Sequence, residues 1–95
     1  MTDKQELPEN WEAGIGQSGE NRERYTKPFY NPKNDLELEQ YTDPNEPHTI
    51  TIHKVIRDEH GDVDGSELVT SATAETEEKA DKKALELMKK YNEGV

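Results

Sequence analysis

The side chains that could do chemistry concentrate in one stretch, residues 58–67, which carries Asp58, Glu59, His60, Asp62, Asp64 and Glu67 together with Gly61 and Gly65. Oxygen ligands at this density suggest a hard cation. An EF-hand loop needs oxygens at positions 1, 3, 5 and 12 and glycine at position 6. With Gly65 at position 6, Asp64 and Asp62 fill positions 5 and 3, but His60 falls at position 1 and Ser71 at position 12. No entering helix precedes the loop. The stretch reads as a solvated acidic hairpin loop, and weak divalent-cation binding through Asp58, Asp62 and Asp64 is the alternative reading.

The other reactive groups do not assemble into a motif. His48 and His53 lie five residues apart on or near a strand, so they point to opposite faces and cannot share a zinc ion. There is no cysteine, hence no thiolate nucleophile and no disulfide framework. Ser18, Ser66 and Ser71 stand in no GxSxG context. Gly14, Gly16 and Gly19 match GxGxxG as letters, but no parallel strand precedes them and no helix follows. The sequence calls for no cofactor and no catalytic set, so the chain reads as a non-enzyme. What remains is aromatic. Trp11, Tyr25, Phe29, Tyr30 and Tyr41 either form the main apolar mass of a small core or leave a stacking platform exposed. An exposed platform would bind a peptide through Trp11, Tyr30 and Tyr41, and its acidic rim would select a basic one.

Composition narrows the partners. Ninety-five residues with twelve Lys and Arg against twenty-two Asp and Glu give a net charge of −10. Phosphate binding needs a basic surface, so nucleic acid is excluded, and anionic membrane surfaces with it. No apolar run is long enough to span a bilayer. The polar, acidic amino terminus is not a signal peptide, and the default compartment is the cytoplasm. Leu, Ile, Val and Phe total fifteen residues, under a fifth of the chain. Low apolar content with high net charge signals either partial disorder or a salty cytoplasm in which screening removes self-repulsion. The second reading is favoured here, although nine lysines are many for a salt-adapted protein.

The elements that must position these groups are a sheet and one helix. Ala80, Ala84, Leu87, Met88 and Tyr91 follow the spacing 0, 4, 7, 8, 11, one face of a helix. Thr76 is placed to cap it, with Glu77 and Glu78 in the first turn and Lys89 and Lys90 in the last, each suited to the dipole. Ahead of it come short strands. Trp11, Ala13 and Ile15 can share a strand face, with Gly14 and Gly16 marking a bulge or a close backbone approach. Residues 22–30 return as a strand that Pro28 either confines to an edge or brings to an end. Residues 36–41 alternate Leu36 and Leu38 against Glu37 and Glu39. Residues 42–47 are a proline-bounded connection. Residues 49–56 are the strongest strand, with Ile50, Ile52 and Ile56 on one face. Residues 57–66 form a projecting loop, and residues 67–73 a last strand with Leu68, Thr70 and Ala72 on one side.

The fold expected is α+β, an antiparallel meander of four to five strands with one carboxy-terminal helix packed on one face. Residues 1–6 read as a flexible tail and 7–95 as a single domain. The edge at residues 22–30 or at 49–56 could pair with a second chain, which leaves the oligomeric state open.

Two resemblances add to this. Leu7-Pro8-x-x-Trp11-Glu12, a turn with Gly19, Phe29-Tyr30, and Tyr41-x-x-Pro44 resemble a WW domain, a three-stranded meander that binds proline-rich peptides on an aromatic groove. Where that family has its second Trp, this chain has Tyr41. The resemblance implies an aromatic groove of Trp11, Tyr30 and Tyr41. Over most of its length, the LPxxW opening, the acidic alternating strand and the closing helix that begins Thr76-x-Glu78-x-Ala80 are similar to small acidic uncharacterised proteins of halophilic archaea. That likeness implies a salty cytoplasm and supplies no site. The function expected is a small acidic protein–protein interaction module adapted to high salt, with another protein or a basic peptide as partner.

Overall fold

The computed structural model describes residues 7–15, 17–18, 25–43 and 46–95. The expected tail at 1–6, most of the turn before residue 25 and the GxGxxG letters at Gly16 and Gly19 lie outside them. The elements are β1 (Glu12–Ala13), β2 (Gln17–Ser18), β3 (Tyr25–Asn31), β4 (Leu36–Asp43), β5 (Glu46–Arg57), β6 (Val63–Ala74) and α1 (Glu77–Lys90). All strand pairs are antiparallel. The order is β1-β3-β4-β5-β6, with β2 also paired to β3. β1 and β2 are thus two pieces of one edge position, and the sheet is a meander five strands wide with the helix on one face.

The helix forms for the reasons its pattern gives. Ala80, Ala84, Leu87 and Met88 are buried, and Tyr91 is half-buried. They close one core with Trp11, Leu36, Leu38, Ile50 and Ile52. Two alanines at the start of the stripe let the helix backbone approach the sheet there. The Thr76 hydroxyl accepts from the Lys79 N–H at 3.2 Å, satisfying one orphan donor of the first turn. Thr76→Ala should therefore cost about 1 kcal/mol in a urea unfolding curve, whereas Thr76→Asp should hold the midpoint.

Several expectations about the sheet need correction. Pro28 does not confine β3 to an edge, because β3 is paired on both sides. The Gly14 N–H donates to the Pro28 carbonyl at 2.8 Å, so the missing Pro28 N–H also faces that side. It falls in the gap between β1 and β2, where no ladder bond is needed. Residues 49–56 do not form an edge either, since β5 lies between β4 and β6. β4 and β5 extend into the proline-bounded connection, pairing Asp43 with Glu46 across a register shift beyond Tyr41 that accommodates Pro47. The projecting loop shrinks to residues 58–62, because β5 and β6 form a hairpin of two twelve-residue strands.

The largest correction concerns β6. Its register against β5 slips between Ile52 and His53, and again between Ile56 and Arg57. The first slip leaves Val69 as an extra residue. A bulge reverses the alternation beyond it, so Val69 packs on the core while Leu68 is 56% exposed on the outer face opposite His53. Likewise Trp11 is buried, but Ile15 is 88% exposed, since the strand breaks between them.

A knot of asparagines joins the chain's distant parts. The Asn92 carbonyl accepts from the side-chain amides of Asn10 at 2.8 Å, Asn34 at 3.0 Å and Asn31 at 3.1 Å. The Asn31 side-chain oxygen accepts from the Asn34 backbone and side chain, each at 3.1 Å. Asn10 also donates its backbone N–H to the Asn92 side chain at 2.9 Å. The residues before β1, the β3–β4 turn and the end of α1 are fastened at one point.

Candidate functional site

The face of the sheet away from the helix carries the most site-like arrangement. Direct cross-strand pairing runs from Glu12 to Tyr30, Tyr30 to Glu37, Glu37 to His53 and His53 to Leu68. Paired residues share a face, so these side chains form one row across the whole sheet. Adjacent strands lie about 4.8 Å apart, which puts the backbones of Glu12 and Glu37 about 10 Å from each other with Tyr30 between them. Glu12 and Glu37 are exposed and Tyr30 is 38% exposed. Neither carboxylate has an ion pair or side-chain hydrogen bond among the described residues. Beside the row is a depression of about 260 Å³, lined by Glu12, Tyr30, Pro32, Glu37, Val55 and Arg57.

Glycine positions the aromatic ring. A Cβ on Gly14 would collide with the Tyr30 ring and sit 3.0 Å from Pro28 Cγ, so the ring rests on bare backbone. Opposite it, the β3–β4 turn is held by Asp35, whose φ of 55° is left-handed. The Asp35 carbonyl accepts from the Val55 N–H at 2.7 Å, and its carboxylate accepts from Arg57 Nε at 3.0 Å. That hydrogen bond from Arg57 holds the Asp35 carboxyl below the usual carboxylate range and raises the guanidinium. Arg57 is thereby committed to Asp35 and, among the described residues, pairs with neither Glu12 nor Glu37. A ring face between two free carboxylates is suited to a lysine or arginine side chain, through cation–π contact and ion pairing together.

The three aromatic residues expected to form a peptide groove are not brought together. Trp11 is 5% exposed and belongs to the core on the helix side of the sheet. Tyr30 and Tyr41 are on the opposite face, and Tyr41 is four residues along β4 from the Tyr30 row, about 13 Å away. Tyr41 is half-buried, with its hydroxyl 3.4 Å from the Asp43 carboxylate. A WW-type groove is therefore absent, because a core with few large apolar residues recruits the single Trp. Its indole N–H has no hydrogen-bond partner among the described residues.

The acidic loop also arranges itself differently from a cation site. The Asp58 carboxylate accepts from the backbone N–H groups of His60 at 2.8 Å and Asp62 at 3.0 Å. This is a local turn cap that occupies the carboxylate. No group of three or more Asp, Glu or His among the described residues is placed to hold a metal ion. His48 lies 3.1 Å from the Thr42 hydroxyl, and His60 is exposed beside Glu59.

A second concavity, of about 460 Å³, lies between the helix and β3 and is lined by Leu7, Phe29, Ala84 and Met88 among others. Its polar end is Lys27, with Nζ 2.7 Å from Glu77 and 3.1 Å from Asp81, and buried Gln40 donating to Asp81 at 2.8 Å. Burial opposes the Lys27 charge, but hydrogen bonds and attraction from Glu77 and Asp81 outweigh it, so its pKa lies above 10.5. A raised lysine contributes fully at neutral pH and loses that contribution as pH climbs through its folded value. The cluster ties the start of α1 to the sheet, with Glu77 in the first turn, where the helix dipole favours a carboxylate.

The contribution of Glu37 was open to sequence reasoning, whereas that of Glu12 was not. The strand LELEQY places Glu37 outward, and the four-residue turn 32–35 sets Tyr30 opposite it. Gly14 signals a close approach in the sequence, though not which ring approaches. No family model, no curated protein and no solved structure matches this chain.

Proposed function

We propose that the protein is a small non-catalytic interaction module that takes a basic partner on the outer face of its sheet, anchored by one lysine or arginine on Tyr30. The observation that carries this reading is the row in which Tyr30 lies between the unpaired carboxylates of Glu12 and Glu37. The charge of −10 supports it, since a basic partner would be steered to this surface. A cation–π contact at an exposed site contributes about 0.5–1 kcal/mol, and each exposed ion pair about 0.2–1 kcal/mol. One anchor is therefore weak, and the module binds a segment with several basic residues. The cytoplasm fits this role. Among the described residues, no helix is long and apolar enough to cross a membrane.

Titration with a Lys/Arg-rich decapeptide, followed by ¹⁵N amide shifts, tests it. The Tyr30, Glu37 and His53 amides should move. Tyr30→Leu keeps apolar area but removes the ring face, so it should weaken binding about threefold to fivefold at an unchanged thermal midpoint. Unmoved amides, or equal binding by Tyr30→Leu, would remove the proposal. The salt adaptation is tested on the free protein: its midpoint should climb substantially between ~0.1 and ~2 M KCl, as the Debye length drops to about 3 Å near 1 M. A flat response would rule the adaptation out.

A further inference from the structure

The concavity between α1 and β3 has the build of a small-molecule site. Its volume of about 460 Å³ lies inside the range of roughly 300–1,000 Å³ common to such sites. The sheet supplies one apolar wall, where Ala13 of β1 pairs directly with Phe29 of β3. The helix supplies another, with Ala84 and Met88 four residues apart on its buried stripe. Leu7 adds a further apolar side chain. Both alanines are too short to fill the space between the walls.

The polar end is made by Lys27, Gln40 and Asp81. The lysine is already engaged, by Glu77 at 2.7 Å and by Asp81 Oδ1 at 3.1 Å. Gln40 Nε2 donates to the same Oδ1 at 2.8 Å. Asp81 Oδ2 therefore accepts no hydrogen bond among the described residues. Because the Gln40 amide turns its nitrogen to Asp81, its oxygen Oε1 points off that bond, and it too accepts nothing among the described residues. Gln40 is only 1% exposed. A buried amide oxygen needs a donor, and this one depends on whatever enters the concavity.

The two acceptors specify the entrant. The hydrogen bond between Gln40 and Asp81 keeps them close together, so one small head with several donor hydrogens can serve both. A hydroxyl has a single donor hydrogen, whereas a primary ammonium has three. The ammonium also pairs its charge with Asp81, which makes that hydrogen bond charge-assisted. Lys27 opposes a second cation, but Glu77 and Asp81 together set two carboxylates against it. An anion would meet Asp81 and find Lys27 already held by both carboxylates.

We propose that the concavity between α1 and β3 binds a small primary amine with an apolar, ring-sized body. The ring packs between Phe29 and the Met88 thioether, a favourable sulfur–aromatic contact, and the ammonium donates to Asp81 Oδ2 and Gln40 Oε1. Phe29 and Tyr30 point to opposite faces of the sheet, so this site is separate from the Tyr30 row.

Titration of the full chain with 2-phenylethylamine, 2-phenylethanol and phenylacetate, followed by ¹⁵N amide shifts, tests the inference. The amine should move the Phe29, Gln40, Asp81 and Ala84 amides and bind about fivefold tighter than the alcohol. Phenylacetate should be weakest. Ala13→Leu, at an exposed position lining the concavity, should abolish amine binding at an unchanged thermal midpoint. Asp81→Asn should bind amine and alcohol alike, a ratio that a mere change in stability would not alter. Tyr30→Leu should bind the amine as wild type does, which excludes the outer-face anchor as its site. Equal binding of amine and alcohol by the wild type, tighter binding of phenylacetate, or shifts confined to Tyr30 and Glu37 would overturn the proposal. So would wild-type affinity in Ala13→Leu, or an amine preference that survives in Asp81→Asn.

Discussion

Asn31→Asp should destabilise the protein by roughly 3–5 kcal/mol at neutral pH, a large part of the stability available to a domain of this size. Asn31 is fully buried. Its amide nitrogen donates toward the carbonyls of Asn92 at 3.1 Å and Tyr91 at 3.5 Å, the negative end of the helix dipole. A carboxylate has no donor to offer there and turns an oxygen toward those carbonyls. Asn34 still donates to the other oxygen, which limits the loss without reversing it. The aspartate would have a raised folded pKa. The penalty is therefore small below the unfolded value of about 3.9, and grows as pH rises until the folded value is reached. Urea midpoints for wild type and variant should converge near pH 3 and separate by neutrality. Parallel pH profiles would mean that Asn31 acts only through shape.

Leu38→Ala should cost roughly 3–4 kcal/mol, lowering the thermal midpoint by more than about 12 °C. Leu38 is fully buried on β4, the central strand, with Phe29 of β3 and Ile52 of β5 directly beside it. The ladders hold these neighbours on both sides, so the cavity cannot close by moving one strand. Among the described residues the buried apolar core is nine side chains, two of them alanine, and leaves little mass to flow into the gap. Leu68→Ala is the matched control. It deletes the same atoms from a residue 56% exposed and should cost under about 0.5 kcal/mol. A large loss at Leu68 would mean that the β6 bulge is misplaced. Val69→Ala should then be the milder of the two.

Much of the fold is legible in the residues because it follows from local periodicity. The alternation of Leu36 and Leu38 with Glu37 and Glu39 orients β4, and Ile50 and Ile52 orient β5. The stripe from Ala80 to Tyr91, with Thr76 at its head, defines the helix and its buried face. These signals depend on neighbours within a few positions, so no knowledge of the rest of the chain is required. The Tyr30 row is half-legible on the same basis. Each strand announces which side chains face outward, and the β3–β4 turn sets Tyr30 against Glu37. That Glu12 completes the row depends on a short β1 pairing that no local pattern specifies.

The opening impression, an acidic loop rich in ligands, belongs to the part that local chemistry misjudges. Residues 58–67 contain the oxygens of a cation site, but β5 reaches one residue further into the loop and β6 begins four residues earlier than the pattern suggests, which changes their roles: Asp58 caps a turn and Asp64 becomes a strand residue. Leu68 and Val69 exchange faces because a single extra residue in β6 inverts the alternation, and sequence carries no mark of where that residue is absorbed. Trp11 is drawn inward because a core with few large apolar residues recruits it, a demand visible only once helix and sheet are packed. What the sequence by itself determined is the helix, the strand faces and the acidic field, all consequences of short-range pattern and composition. What only the tertiary structure decided is register, edge and aromatic placement, because each depends on contacts between residues far apart in the chain.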